Sequence, residues 1–415
     1  MGDKVTKLPN IRFSGFEDAW KHDKFNEVFT YLKNNSLSRA ELNYDEGTVK
    51  NVHYGDILIK FGEVLDTENY EIPYVSNKDF KVENTSLLQT GDIVIADAAE
   101  DNTVGKCSEI KLTEEIDIVS GLHTIPCRPI VEFGDGYLGY YMNSNAYHDQ
   151  LLQLIQGSKV SSISKSALKN TNIIYPNIDE QKSIGNLFIN LDKIIILHKH
   201  KLELVKETKK SMLQKMFPKD GRNVPEFRFV GFTDEWKAYK LSDVAEYRNG
   251  RAHEKDINED GAFIVVNSKF VSTNGLVKKF SNKLIEPLKS GEIAFVLSDV
   301  PKGKALARTF LINEDEKYSL NQRIAGVTPL KETDSYFLNI LMNRNDYFLK
   351  FDNGVGQTNL SKSEVESFLE FYPCYEEQVK IGDYFNGLDN IITIHQRELD
   401  LLKGLKKTML KQMFI

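Results

Sequence analysis

QKSIGNLFINLDKIIILHKHKLELVKETKKSMLQKMF, residues 181–217, returns as QVKIGDYFNGLDNIITIHQRELDLLKGLKKTMLKQMF at residues 378–414, with 18 of 37 positions identical. In the first copy Ile184, Phe188, Leu191, Ile195, His198, Leu202, Val205, Lys209, Met212 and Met216 follow one another at alternating steps of four and three. That is a heptad seam held for more than four heptads, and it predicts one helix of ~37 residues, ~55 Å long at ~1.5 Å per residue. The second copy keeps the register through Ile381, Phe385, Leu388, Ile392, His395, Leu399, Leu402, Lys406, Met409 and Met413. Two such seams in one chain are expected to bury each other as an intramolecular coiled coil. Polar seam residues recur at the same steps, His198 with His395 and Lys209 with Lys406, and read as register-fixing or helix-end positions.

A second repeat lies outside the helices. Pro9-Asn10-Ile11-Arg12-Phe13-Ser14-Gly15-Phe16-Glu17-Asp18-Ala19-Trp20 recurs, 216 residues on, as Pro225-Glu226-Phe227-Arg228-Phe229-Val230-Gly231-Phe232-Thr233-Asp234-Glu235-Trp236, and holds both tryptophans. At the shift of the helices, 197, Ser164-Lys165-Ser166 matches Ser361-Lys362-Ser363 and Tyr175-Pro176 matches Tyr372-Pro373. The chain is therefore a tandem duplication, with the joint in the Pro- and Gly-bearing stretch 218–223. Four segments follow: 1–156, 157–217 with the first long helix, 218–355, and 356–415 with the second. Between signature and helix each half carries a block of its own, 136 residues (21–156) against 117 (237–353). Short apolar runs there, such as Ile57-Leu58-Ile59, Ile93-Val94-Ile95, Phe263-Ile264-Val265-Val266 and Ile293-Ala294-Phe295-Val296, predict strands, several entered through Gly-Asp-Ile or Gly-Glu-Ile turns. The expected fold class is α+β: two similar domain-sized blocks, each a mixed α/β or mainly β globule, together with a two-helix coiled coil.

At 415 residues with 41% hydrophobic and 11% aromatic residues, the chain has material for more than one core. Cys107, Cys127 and Cys374 form no CxxC pair and no zinc spacing, which fits a reducing cytoplasm. No apolar run reaches membrane-spanning length, and the opening residues lack the apolar core of a signal peptide. The net charge is −7, unevenly spread. Fourteen basic residues against 26 acidic leave 1–156 at −12, while 11 against 5 leave 157–217 at +6. Segments 218–355 and 356–415 carry +1 and −2.

Sequence motifs for chemistry are scarce. Gly134-Asp135-Gly136-Tyr137-Leu138-Gly139 matches GxGxxG, but a single helix-like stretch, Tyr140 to Gln156, follows it in place of alternating strand and helix units, so it reads as a strand-to-helix turn. There is no P-loop, no Gly-x-Ser-x-Gly elbow and no Asn/Asp-Pro-Pro-Tyr/Phe stretch of an amino-methyltransferase. Asp97 with Glu109-Ile110-Lys111 has the residue types of a metal-dependent nuclease, but reads as a solvated strand edge in this acidic block. No catalytic residue and no metal ligand is assigned. For DNA, the second block offers Lys302, Lys304 and Arg308 around Gly303, then Arg248, Arg251, Lys269 and Arg323; the first offers Lys60, Lys106, His123 and Arg128. Spaced cations of this kind suit phosphates or guanine edges.

The paired Arg-Phe-x-Gly-Phe openings, the Ser-Lys-Ser and Tyr-Pro…Glu-Gln lead-ins, and the Gln…Ile-Gly…Phe…Leu-Asp helices ending Met-Phe together resemble the DNA-specificity subunit of type I restriction-modification enzymes. The resemblance covers nearly the whole chain, and the repeated helix is its most specific part. It implies two target recognition domains held apart by an antiparallel helix pair, each reading half of a split sequence in double-stranded DNA. It implies as partners two modification subunits that methylate adenine N6 from S-adenosylmethionine, and restriction subunits using ATP and Mg, with no cofactor and no catalysis in this chain itself. The alternative reading is a coiled-coil scaffold without sequence-specific DNA contact.

Overall fold

The computed structural model describes residues 8–113, 115–156, 161–219, 221–300 and 303–415. Two helices dominate, Ile178–Lys215 and Tyr375–Gln412, each of 38 residues. Each opens just after the repeated proline, with Asp179 and Glu180 or Glu376 and Glu377 in the first turn and a lysine in the last, matching the helix dipole. Every seam residue named above is buried or half-buried, including the two lysines and the two histidines. Among the described residues no helix is long and apolar enough to cross a membrane.

The chain divides into two compact units: one runs to His200 and takes in Arg397–Ile415, the other is Lys201–Gln396. Each unit thus contains part of both long helices, and within each the two parts run antiparallel. In the first unit Phe188 meets Phe414 at 5.9 Å between ring centroids, Asp192 meets Lys406 at 2.7 Å, and His198 meets Glu398 at 3.1 Å. In the second unit Lys209 bonds Asp389 at 2.7 Å and Phe217 meets Phe385 at 6.1 Å.

The first unit holds a five-stranded sheet in the order Phe29–Tyr31, Thr124–Pro129, Ile93–Ala96, Cys107–Lys111, Val64–Asp66. Beside it is a four-stranded sheet ordered Asp117–Ser120, Val49–Val52, Tyr74–Val75, Leu42–Asn43. The second unit holds a four-stranded sheet ordered Ala245–Asn249, Ile324–Pro329, Ile293–Val296, Thr309–Leu311, and a three-stranded one ordered Phe280–Ser281, Phe263–Val266, Tyr318–Leu320. In both, the strand after the signature tryptophan pairs with the strand leading into the long helix: Lys21–Lys24 with Asn172–Tyr175, and Lys237–Lys240 with Leu369–Tyr372.

The repeated residues are the ones that join signature, sheet and helix. Arg12 grips Glu180 at 2.7 and 2.8 Å, and Arg228 grips Glu377 at the same two distances; neither glutamate side chain has exposed surface. The glutamine that follows binds the proline carbonyl below it and accepts a backbone N–H from the domain: Gln181 from Gly134, Gln378 from Asp334. Gly185 is obligatory because a Cβ there would lie 2.0 Å from the carbonyl oxygen of Asp135. Met413 and Phe414 join Trp20, Tyr137, Tyr141 and Phe188 in the first core, while Met216 joins Trp236, Phe337 and Phe385 in the second, with Phe217 packed against it.

Two local expectations are corrected. Ile57-Leu58-Ile59 is the end of a helix, Tyr54–Ile59, because His53 Nδ1 accepts the Gly55 N–H at 3.2 Å and starts a turn that buries Ile57 and leaves Ile59 outside. The stretch after the GxGxxG turn is two helices, Tyr137–Asn143 and Asn145–Leu152, broken at Ser144, whose backbone is extended.

Candidate nucleic-acid interface

The two halves share one pattern at the start of a central strand. Thr124–Pro129 begins after His123 and Ile324–Pro329 after Arg323; both preceding residues are exposed and left-handed, with φ of 54° and 67°. Non-glycine residues adopt this conformation rarely, so its recurrence is a property of the turn. Each carbonyl is held from the neighbouring strand's end, His123 by Asp97 N–H at 3.1 Å and Arg323 by Leu297 N–H at 3.0 Å. The same neighbouring residues accept, at 2.9 and 2.8 Å, the N–H groups of Ile163 and Leu360, which lie just before the Ser-Lys-Ser repeats.

Those repeats bring a lysine to each half. Lys165 lies over the Tyr31 ring at 5.5 Å and Lys362 over the Tyr247 ring at 5.8 Å, both lysines exposed. Each half therefore combines a basic residue on a strained turn with a lysine on a tyrosine. In the first unit the ring of His123 meets Tyr54 edge-on at 5.3 Å, and its Nδ1 lies 3.3 Å from Asp97, whose carboxyl burial pushes up. In the second, Arg251 borders the turn: its N–H bonds Leu320 and its carbonyl accepts from Gln322 at 2.9 Å. Lys165, Lys362 and the tyrosines escaped the list of candidate cations, although each pair keeps its residue type at the shift of its own repeat.

The other candidates are placed differently. Arg128 holds Asp92 at 2.8 and 2.7 Å and the carbonyl of Leu87. Arg248 bridges Glu286 and Glu292, and Arg251 shares Glu286 at 3.0 Å. Lys106 turns inward to the carbonyls of Leu58 and Phe61, and burial lowers its pKa. Lys60 caps the carbonyl of Glu71 and lies over Tyr44 at 4.6 Å. Lys269 and Lys304 are exposed, while half-buried Arg308 donates to the Lys304 carbonyl at 2.6 Å. Lys302 lies outside the described residues. The seam residues lie on the two long helices at buried or half-buried positions.

Glu109 corrects the expectation of a solvated strand edge. Its strand lies inside the sheet, and its two carboxylate oxygens accept the N–H groups of Gly136 and Gly139 at 2.6 and 2.9 Å, capping the helix that follows the GxGxxG turn. Burial pushes its pKa up to about 7 against the pull of those bonds. Lys111 pairs with Asp66 at 3.0 Å instead.

The sequence matches the family described as type I restriction modification DNA specificity domain over residues 17–207 and again over 233–403. It is 23% identical over 272 residues to the type I restriction enzyme MjaVIII specificity subunit of Methanocaldococcus jannaschii, covering 61% of this chain and 64% of that protein. That match spans a little under two thirds of the relative's length. A putative MjaX specificity subunit of the same organism is 22% identical over 353 residues and 80% of each chain. The fold is similar to the crystal structure of a type I restriction-modification system S subunit from M. genitalium, with a TM-score of 0.67 over 99% of both chains at 14% identity.

Proposed function

We propose a division of labour from one premise: the chain belongs to the family of type I restriction modification DNA specificity domains. As a specificity subunit it selects the site. Each unit reads one half of a split duplex target with the turn that begins its central strand, and partner subunits supply the chemistry. Two modification subunits bring S-adenosylmethionine and the adenine pocket, restriction subunits bring ATP and Mg, and the assembly works in the cytoplasm.

The observation that supports this reading is the pair of equivalent turns carrying different side chains, His123 in one and Arg323 in the other, each beside a lysine on a tyrosine. A fixed backbone position with an interchangeable donor is what two readers of different half-sites require. Arginine suits the O6 and N7 edge of guanine, whereas lysines beside it suit phosphates, which position the duplex without reading it.

Selection from randomised duplexes by the chain assembled with its modification subunits tests the assignment. Arg323→Ala is expected to relax one half-site only, with a loss of about 1–3 kcal/mol at the position it reads, while Lys362→Ala weakens all sequences alike. An unchanged preference in Arg323→Ala contradicts the role of that turn. A scaffold without DNA contact returns no sequence preference from any variant or from the intact chain.

A further inference from the structure

The two sheets differ at one edge. In the first unit Cys107–Lys111 is flanked by a fifth strand, Val64–Asp66, which runs parallel to it. Glu109 N–H bonds the Glu63 carbonyl at 2.9 Å, and Thr67 N–H bonds that of Lys111 at 3.1 Å. In the second unit the counterpart strand, Thr309–Leu311, is the last of its sheet. The correspondence is fixed by hydrogen bonds. Ile110 and Ile312 donate to Asp92 and Glu292 at 2.8 Å, and the N–H groups of Cys107 and Thr309 reach Asn143 and Asn343 at 3.0 and 3.3 Å.

Chain length explains the missing strand. Fourteen residues, 60–73, join helix Tyr54–Ile59 to strand Tyr74–Val75, whereas seven, 273–279, join helix Ser268–Ser272 to strand Phe280–Ser281. Where the first unit places its fifth strand, the second has a groove of about 720 Å³ along Thr309–Asn313. Asn339, Lys209 and Asp389 also line it, and the carboxamide oxygen of Asn339 is buried without a hydrogen-bond partner.

Charge marks the same vacancy. Lys406 holds two carboxylates, Asp192 at 2.7 Å and Glu63, from the residue before the fifth strand, at 2.7 Å. Its repeat counterpart Lys209 holds Asp389, with no second carboxylate among the described residues. Tyr140 and Tyr336 donate to the two aspartates at 2.6 Å, so the rest of the arrangement is kept.

We propose that this groove binds an extended segment of a partner protein, added parallel to Thr309–Leu311 as a fifth strand, with an acidic side chain on Lys209. Strand addition to an open edge supplies main-chain hydrogen bonds for affinity and a side-chain contact for choice. Asn339 replaces Gly139, where a Cβ would lie 2.2 Å from the Glu63 carbonyl oxygen, so the guest sits further from this helix than Val64–Asp66 does.

A labelled synthetic peptide with the chain's own sequence Gly62–Asn69 is the guest of known geometry. Fluorescence anisotropy against the full chain is expected to show saturable one-to-one binding, and a photo-crosslinker on the peptide to map to Leu311 and its neighbours. Glu63→Gln in the peptide, or methylation of its Leu65 nitrogen, which faces the ladder, is expected to weaken binding roughly tenfold or more, the range for a charge-assisted bond or a lost strand bond. Because these changes are in the peptide, the fold of the protein is not at stake. Absence of saturable binding, equal binding of the methylated peptide, crosslinks elsewhere, or a groove closed by a second copy of the chain in sedimentation each overturns the proposal.

Discussion

Arg12 and Arg228 show how much a repeated residue type can carry. Each places two N–H groups on a glutamate that has no exposed surface, and a buried carboxylate deprived of its partner is strongly destabilising. Arg12→Ala is expected to lower stability by about 3–5 kcal/mol in urea unfolding, and Arg228→Ala by a similar amount; losses below about 1 kcal/mol, the range of exposed pairs, contradict the assignment. Glu109 acts in another direction. Its folded pKa of about 7 lies above the ordinary carboxylate value, so its share of stability is full below about 4.5 and is lost as pH rises through 7. Glu109→Gln removes that slope. Melting temperatures between pH 4.5 and 8 are expected to fall more steeply with rising pH in the unaltered chain than in the variant, and parallel curves would refute the buried, proton-binding carboxyl.

At the scale of elements, the ends of the long helices matter most. Phe414 contacts Phe188, Tyr137 and Tyr141 within 5.9 Å, so the last residues of the chain complete a core begun near its start. Phe414→Ala is expected to destabilise the first unit by about 3–5 kcal/mol. Hydrogen exchange checks it: amides of Ile93–Ala96 and Thr124–Pro129 lose protection, whereas those of Ile293–Val296 keep theirs. These elements were also the most legible in the sequence, because a heptad pattern over 37 residues overrides local ambiguity. Ile57-Leu58-Ile59 was not legible, since a three-residue apolar run carries no period and the deciding contact is a side-chain cap from His53. Glu109 was misread for a related reason: its partners, Gly136 and Gly139, lie about 30 residues away in sequence.

For the whole molecule, duplication was readable, and the geometry of the candidate interface only partly so. His123 and Arg323 were named as cations, but their equivalence was hidden because their blocks differ in length and they follow neither repeat shift. The lysines of the Ser-Lys-Ser repeats were read as landmarks; that each lies on a tyrosine depends on strand pairing absent from the sequence. Under the proposed function, the acidic balance of residues 1–156, at −12, would work against DNA affinity and leave binding to exposed cations and to partner subunits.

The reading of a split target by two different units is tested most directly by mapping methylated adenines across the genome in cells with this chain, without it, and with Arg323→Ala. The account predicts one bipartite motif with a fixed unread spacer, absent without the chain and relaxed in a single half by the substitution. A methylation pattern that is the same in all three, or a single uninterrupted motif, contradicts it.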